Sequence, residues 1–399
     1  MRWFYVSAGF IINLCLGAIY SYSVLQVHLR KLFENDYGIK VTATQMQVPY
    51  LIFLALFSFS MPLAGKLIEK YGIQKIGIIG GALLSLAWFS SSFAKSPLEL
   101  YVLYGVIGGI GVGMVYNSTV TTITIWFPQK RGLAIGITLM GFGISAAIIS
   151  PLIDILAYNY GISQTLRIVG ITFFILISLL FYFFRLPKNS EKINNKDTSD
   201  ENYKEILKSP SFYGLWISFT TANIVGLTAI GISKQVGLEI VSNSTMQERE
   251  ISKILTLLMI PFAICNGIGR PLFGWLTEKL TPKPTITLSF SSIIISIIFL
   301  YTTKSLSSYI IAFCVFWLNL GGWMAIAPTT TAMIFGLNNY STKYGIVFTA
   351  YGIGAITGNL LAGITKDLTA SYLNVFPILT VILLISLILS HMLLKYPKS

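Results

Sequence analysis

In the stretch NGIGRP, residues 266 to 271, an asparagine and an arginine stand four positions apart inside an otherwise apolar run. On a helix that spacing puts Asn266 and Arg270 on one face. A guanidinium is planar and always charged, and its fork grips a carboxylate through two parallel N–H···O bonds. The amide one turn away can hold the fork or touch what the fork binds. Nothing else in the chain has the pattern of a reaction centre. His28 and His391 stand near the ends of apolar runs without metal-ligand spacing, and no nucleophile is paired with an oriented base. Cys15, Cys265 and Cys314 lie within apolar runs and read as small packing residues rather than a disulfide framework. The chemistry to expect is anion binding, with no enzyme activity, metal or cofactor.

What positions such a pair follows from composition. The chain has 399 residues, 54% of them hydrophobic and 11% charged. Its mean hydropathy is +0.73. A globular core cannot hide that much apolar surface, so the sequence reads as an all-α polytopic membrane protein. A spanning helix needs about 20 mainly apolar residues. Twelve candidates occur, near 3–27, 47–65, 74–93, 99–126, 132–157, 167–184, 211–233, 254–276, 284–303, 307–330, 345–365 and 373–394. The first is too long for a signal-peptide core and has no small-residue cleavage pattern, so it is read as a span.

The net charge of +13 does not point to nucleic acid, because the cations sit in loops and are not interleaved with aromatics on one soluble face. With both termini placed in the cytoplasm of the cell membrane, about 17 Lys and Arg fall inside and about 10 outside, the bias of the positive-inside rule. Arg270 is the one cation left over. It lies nine residues before Lys279, hence about 13 Å deep at the helical rise. That is near the middle of the hydrocarbon layer and too deep to snorkel. Such an arginine marks either a functional site or an internal ion pair. Apart from Glu99 at the very edge of span four, the only acid within the candidate spans is Asp154, near the outer end of span five.

The polar segment LPKNSEKINNKDTSDENYKEILKS, Leu186 to Ser209, divides the spans six and six. Its cations, with Arg185, are Lys188, Lys192, Lys196, Lys204 and Lys208. The expected organisation is a six-helix half at 1–185, a cytoplasmic linker at 186–210 and a second half at 211–399. Internal echoes support two pseudo-symmetric halves. GKLIEKYG from Gly65 follows span two and GWLTEKLT from Gly274 follows span eight, and RGLAIGITLMGFG from Arg131 has a weaker counterpart in YGIVFTAYGIG from Tyr344. Gly65, Glu69, Gly274 and Glu278 are therefore expected at a gating interface, the alternative being that the two acids are merely solvated. In span four, the small-xxx-small spacing of Gly105, Gly109 and Gly113 suits close helix contact rather than a nucleotide loop.

Two six-span halves with echoed loops resemble the major facilitator superfamily, whose halves rock about a central site. The runs LGAIYSYSV from Leu16, YGVIGGIGVGMVY from Tyr104, WFPQKRGLAIGI from Trp126 and NGIGRPLFGWL from Asn266 narrow the resemblance to the oxalate/formate antiporter family, related to monocarboxylate transporters. The resemblance covers nearly the whole chain, and WFPxKRGLA is its most specific part. It implies transport of small organic anions, with Arg270 binding a carboxylate. It also implies substrate contacts at Tyr20, Gln45, Tyr116, Met324, Phe348 and Tyr351. The sequence departs from that pattern at Tyr351, where oxalate carriers have a lysine, at Met324, often an aromatic, and at Ile19, where a glutamine is expected. Asn266 stands where some monocarboxylate carriers have a titratable acid.

Taken alone, each buried tyrosine among Tyr20, Tyr22, Tyr50, Tyr104, Tyr116 and Tyr351 suits packing as well as binding. Tyr20, Tyr116 and Tyr351 fall deep in helices expected to line one cavity. The reading is an alternating-access carrier, acting as a monomer in lipid, for a small monocarboxylate of the formate or lactate kind, by exchange or with protons. Oxalate or another dicarboxylate is the alternative substrate. An exporter of hydrophobic or cationic drugs and a non-transporting anion sensor are the alternatives of other kinds.

Overall fold

The computed structural model describes residues 2–41, 43–187, 206–241 and 248–395. Lys188, Lys192, Lys196 and Lys204 of the inter-half segment lie outside them. Among the described residues, twelve helices are long and apolar enough to cross a membrane. They are α1 Arg2–Ser21, α2 Val48–Tyr71, α3 Ile73–Ser91, α4 Pro97–Trp126, α5 Arg131–Tyr160, α6 Ile162–Tyr182, α7 Pro210–Ile240, α8 Leu257–Leu280, α9 Pro282–Thr303, α10 Leu306–Phe335, α11 Tyr340–Thr369 and α12 Val375–Leu393. No strand occurs among the described residues. The chain is thus an all-α, multi-pass membrane protein.

Several helices overrun their apolar segments. The helix containing α2 begins at Ala43, that containing α8 begins at Glu248, and α7 continues to Ile240. Beyond the hydrocarbon layer, water tolerates polar side chains without requiring the helix to stop. For the same reason acids other than Asp154 lie on the helices that span. Glu69 ends α2, Glu239 ends α7 and Glu278 ends α8. Asp154 itself takes His28 as partner at 2.8 Å.

Lipid offers no hydrophobic drive for one apolar helix to join another, so close packing of small residues and hydrogen bonds must hold the bundle. In α4, added methyls at Gly105, Gly109 and Gly113 would meet Pro49, Phe53 and Phe57 of α2 respectively. Those at Gly108 and Gly111 would meet Phe53 of α2 and the backbone of α3. Outward faces carry side chains such as Leu63, Ile155, Leu179, Ile295 and Leu360, all exposed.

Helices α1–α6 and α7–α12 meet along two seams, α5 against α8 and α2 against α11. In the first, a methyl on Gly132 would meet Gly274 O, one on Gly136 would meet Arg270 O, and one on Gly143 would meet Gly267. In the second, a methyl on Gly65 would meet the backbone of Ser341 and Thr342, and one on Gly345 would meet Met61 O. Twelve spans bring the described chain back to the side it starts from, so Arg2 and Lys395 stand at one end of the bundle, hereafter the termini-bearing face.

Candidate functional site

Arg270 is 1% exposed and sits near the middle of α8, one residue before the intrahelical Pro271. Its Nη1 donates to Leu139 O in α5 at 2.8 Å, and its Nη2 to Asn266 Oδ1 at 3.3 Å. Asn266 also donates to Trp317 O in α10 at 3.1 Å, which fixes the amide's direction. The guanidinium carbon lies 5.2 Å from the centre of the Phe142 ring, a cation–π contact. The Nε proton has no partner. No carboxylate pairs with Arg270 among the described residues. The pairing with Asp154 that the sequence left open is therefore not made.

Around the guanidinium stands a cage of rings. Phe57 of α2 is its hub, with centroids 5.2 Å from Tyr116, 6.1 Å from Phe142, 5.0 Å from Phe348 and 5.8 Å from Tyr351. Phe348 stacks on Tyr351 at 5.2 Å, and Tyr20 meets Phe142 edge-on at 5.1 Å. Polar tips close the cage: the Tyr20 and Tyr351 hydroxyls are 3.4 Å apart, and Tyr116 Oη donates to Met324 Sδ at 3.9 Å. Tyr20 lies in a tight 3₁₀ turn, Gly17–Ser21, that interrupts the first helix. A methyl on Gly17 would strike the backbone of Phe142, so this residue type lets the turn press against α5.

Of the residues singled out from the sequence, Tyr20, Tyr116, Met324, Phe348 and Tyr351 join Arg270 and Asn266 in one cluster. Gln45 does not. It is exposed and precedes Phe57 on the same helix by twelve residues, about 18 Å along the axis. Tyr22, Tyr50 and Tyr104 form a separate stack within the first half, with centroids 5.5 and 5.4 Å apart. Phe57, Phe142 and Tyr344 belong to the cluster's lining but carry no distinguishing pattern in the sequence. The GFG setting of Phe142, in the stretch echoed by α11, is the nearest thing to a signal.

At the termini-bearing face the two echoed acids make matched contacts across the halves. Glu278 of α8 accepts from the backbone N–H of Gly132 at 2.8 Å and of Leu133 at 3.4 Å, at the first turn of α5. Glu69 of α2 accepts from Ser341 Oγ at 2.9 Å and Thr342 N at 3.1 Å, at the first turn of α11. Each carboxylate satisfies orphan donors and faces the positive end of a helix dipole. Neither is a merely solvated loop charge. Asn117 adds one further bond across the halves, to Ser341 O, and one within its own half, to Met61 O, both at 3.0 Å. Toward the opposite face, the next cross-half hydrogen bonds are Tyr20–Tyr351 and that of Ser58, which accepts from Gly352 N at 2.9 Å. Beyond them α11 turns its glycines to its own half, Gly354 to Thr220 and Asn223 and Gly358 to Ile224 and Thr228. The halves are thus tied at the termini-bearing face, while beyond the cluster α11 packs on its own half.

Residues 4–358 match the Major Facilitator Superfamily. The chain belongs to that superfamily. It is 27% identical over 365 residues to the oxalate:formate antiporter of Oxalobacter formigenes, covering 90% of this chain and 83% of that protein. It is 24% identical over 333 residues to monocarboxylate transporter 4 of Gallus gallus, covering 82% and 69%. Among solved structures, the proton:xylose symporter XylE superposes with a TM-score of 0.77 at 13% identity, covering 100% of this chain and 96% of that one. The Escherichia coli fucose:proton symporter FucP gives 0.71 at 14% identity, covering 97% and 98%. At such identities the structures speak for the fold alone. As a major facilitator protein the chain is a membrane transporter and not an enzyme.

Proposed function

We propose that this transporter carries a small monocarboxylate, of the formate or lactate kind, across the cell membrane by alternating access. The observation that carries the reading is the buried guanidinium of Arg270, which has no carboxylate partner among the described residues and an idle Nε–H. Two hydrogen bonds and a ring face soften the cost of burying that charge but leave it uncompensated. An isolated buried charge costs several kcal/mol even after relaxation, on the order of the energy of a good ion pair. A carboxylate entering the ring cage supplies the missing charge. The relatives named for oxalate, formate and monocarboxylates support the substrate class.

One cation balances one carboxylate. Tyr351 occupies the α11 position where a second cation would serve a dianion, and its neighbours Phe348 and Phe57 make that side apolar. This favours a monoanion over oxalate. With the termini in the cytoplasm, the face tied by Glu69 and Glu278 is the inner one. The halves 1–185 and 211–399, joined by 186–210, rock about the cluster as a monomer. Closing on an empty site would seal in an unpaired cation, so closure is easier with anion bound, which favours exchange over net flux. Asn266 cannot take up a proton, so any proton coupling would run through another group.

The test is thermal stabilisation of the purified protein by mono- and dicarboxylates, followed by counterflow in liposomes. Formate or lactate should stabilise the protein, and Arg270→Gln should abolish the effect while the protein stays folded. Stabilisation by oxalate alone would replace the monoanion reading, and undiminished binding in the variant would remove Arg270 from the site.

A further inference from the structure

Just beneath the ring cage, on the side of the termini-bearing face, Tyr344 of α11 is fully buried. Its ring is held on two sides: it stacks on Tyr340 with centroids 5.8 Å apart and planes at 8°, and it meets Phe348 edge-on at 5.7 Å. Its hydroxyl makes no well-formed hydrogen bond; the Tyr116 oxygen is the acceptor nearest to hand, in poor geometry. The Tyr116 proton is directed at Met324 Sδ instead. Tyr340, one turn before, shows the ordinary solution for a buried phenol, since its hydroxyl donates to Pro328 O at 3.1 Å.

Two donors without a well-formed bond, Tyr344 O–H and Arg270 Nε–H, therefore border the one ring cluster, through Phe348 and Phe142 respectively. A buried polar group left unpaired is costly, and most are paired. Both are aligned by elements packed independently of any ligand, α8 by its seam with α5 and α11 by its seam with α2. A single acceptor with two oxygens, placed between them, would satisfy both.

We propose that Tyr344 is a substrate-binding residue whose phenol donates to the carboxylate held by Arg270. The proposal rests on the carboxylate reading above and adds a residue to it. A neutral phenol beside one guanidinium adds a hydrogen bond without adding charge, so the pair recognises a carboxylate while keeping the site matched to a monoanion. It also ties recognition to gating. Tyr344 stands two residues after Thr342, whose N–H is capped by Glu69, so a carboxylate bound at Tyr344 pulls on the first turns of the helix that carries the α2–α11 closure.

The experiment compares the full-length purified protein with Tyr344→Phe, Tyr340→Phe and Arg270→Gln. Melting temperature is measured without ligand, and Kd for formate, acetate and lactate by titration. Phenylalanine keeps the stacked ring and removes only the hydroxyl. Without ligand, Tyr344→Phe should melt no lower than the unmodified protein, because its hydroxyl has no bond to lose, whereas Tyr340→Phe should melt lower. With the most stabilising acid, Tyr344→Phe should raise Kd by about tenfold, the loss of one hydrogen bond to a charged group, and Tyr340→Phe should leave Kd unchanged. A rise below about threefold in Tyr344→Phe, with binding abolished in Arg270→Gln, would overturn the role of Tyr344 and leave the carboxylate site standing. A drop in melting temperature as large as that of Tyr340→Phe would overturn it too, by showing that the hydroxyl is bonded in the empty protein. If no acid binds, or Arg270→Gln binds normally, the carboxylate reading fails and this inference with it.

Discussion

The two seams between the halves are alike at one end and unlike in the middle. At the termini-bearing face each has a glycine contact and a glutamate on the first turn of the facing helix: Glu278 on α5, Glu69 on α11. Halfway along, the α2–α11 seam is neutral. Ser58 donates to Phe348 O at 2.8 Å and accepts from Gly352 N, and rings fill the rest. The α5–α8 seam instead carries Arg270, bonded across to Leu139 O. The closure is duplicated because any helix N-terminus offers the same dipole and the same orphan donors to a carboxylate. The mid-seam charge is not, because a second unpaired cation at this depth would be a cost without a partner.

The largest disturbance of the shared part should come from Gly274→Val. Its branched side chain would meet Gly132 O, where even a methyl does not fit. Overpacking of this kind typically costs about 1–3 kcal/mol, enough to depopulate the tied conformation by roughly fivefold to a hundredfold. Transport in liposomes should fall to below about one-tenth while binding of the carboxylate to detergent-purified protein persists. Retained transport would show that the α5–α8 contact is not the closure.

A smaller effect is expected from Glu278→Gln and from Glu69→Gln. The amide can still accept a hydrogen bond but loses the charge facing the helix dipole, worth about 1 kcal/mol. Each variant should make cysteines introduced at the termini-bearing face roughly fivefold more accessible to a charged thiol reagent, and the two effects should match within about threefold. If only one variant responds, the resemblance between the seams is geometric and not energetic.

These seams also show what the sequence makes legible. The twelve spans follow from runs of about 20 apolar residues, a signal that local irregularities do not erase. The helix ends do not follow, since polar residues such as those of Ala43–Gln47 continue a helix outside the lipid as readily as they end one. In the site, Asn266 and Arg270 were visible through their four-residue spacing and the incongruity of a charge. Phe57 and Phe142 were not, because a ring lining a site has the same composition as a ring packing a core. Leu139 was beyond reach for a different reason: its role belongs to a backbone oxygen, which every residue has. Gln45 fails in the opposite way, as a polar residue of fitting type placed too far out along its helix.

The smallest expected effect belongs to the unlike part of the α5–α8 seam. In the empty protein the Phe142 ring lies 5.2 Å from the guanidinium carbon and stabilises a cation that has no anion. Phe142→Leu keeps an apolar side chain of comparable bulk but removes the negative ring face, worth about 0.5–1 kcal/mol where other bonds already hold the guanidinium. The loss falls mainly on the empty state, because a bound carboxylate takes over the neutralisation. Affinity for the monocarboxylate should therefore rise, by about threefold in Kd, the opposite sign to Arg270→Gln. A weaker affinity would mean that the ring touches the cargo itself, which would move the substrate toward α5 and shift the asymmetry of the site from Arg270 alone to the whole α5–α8 seam.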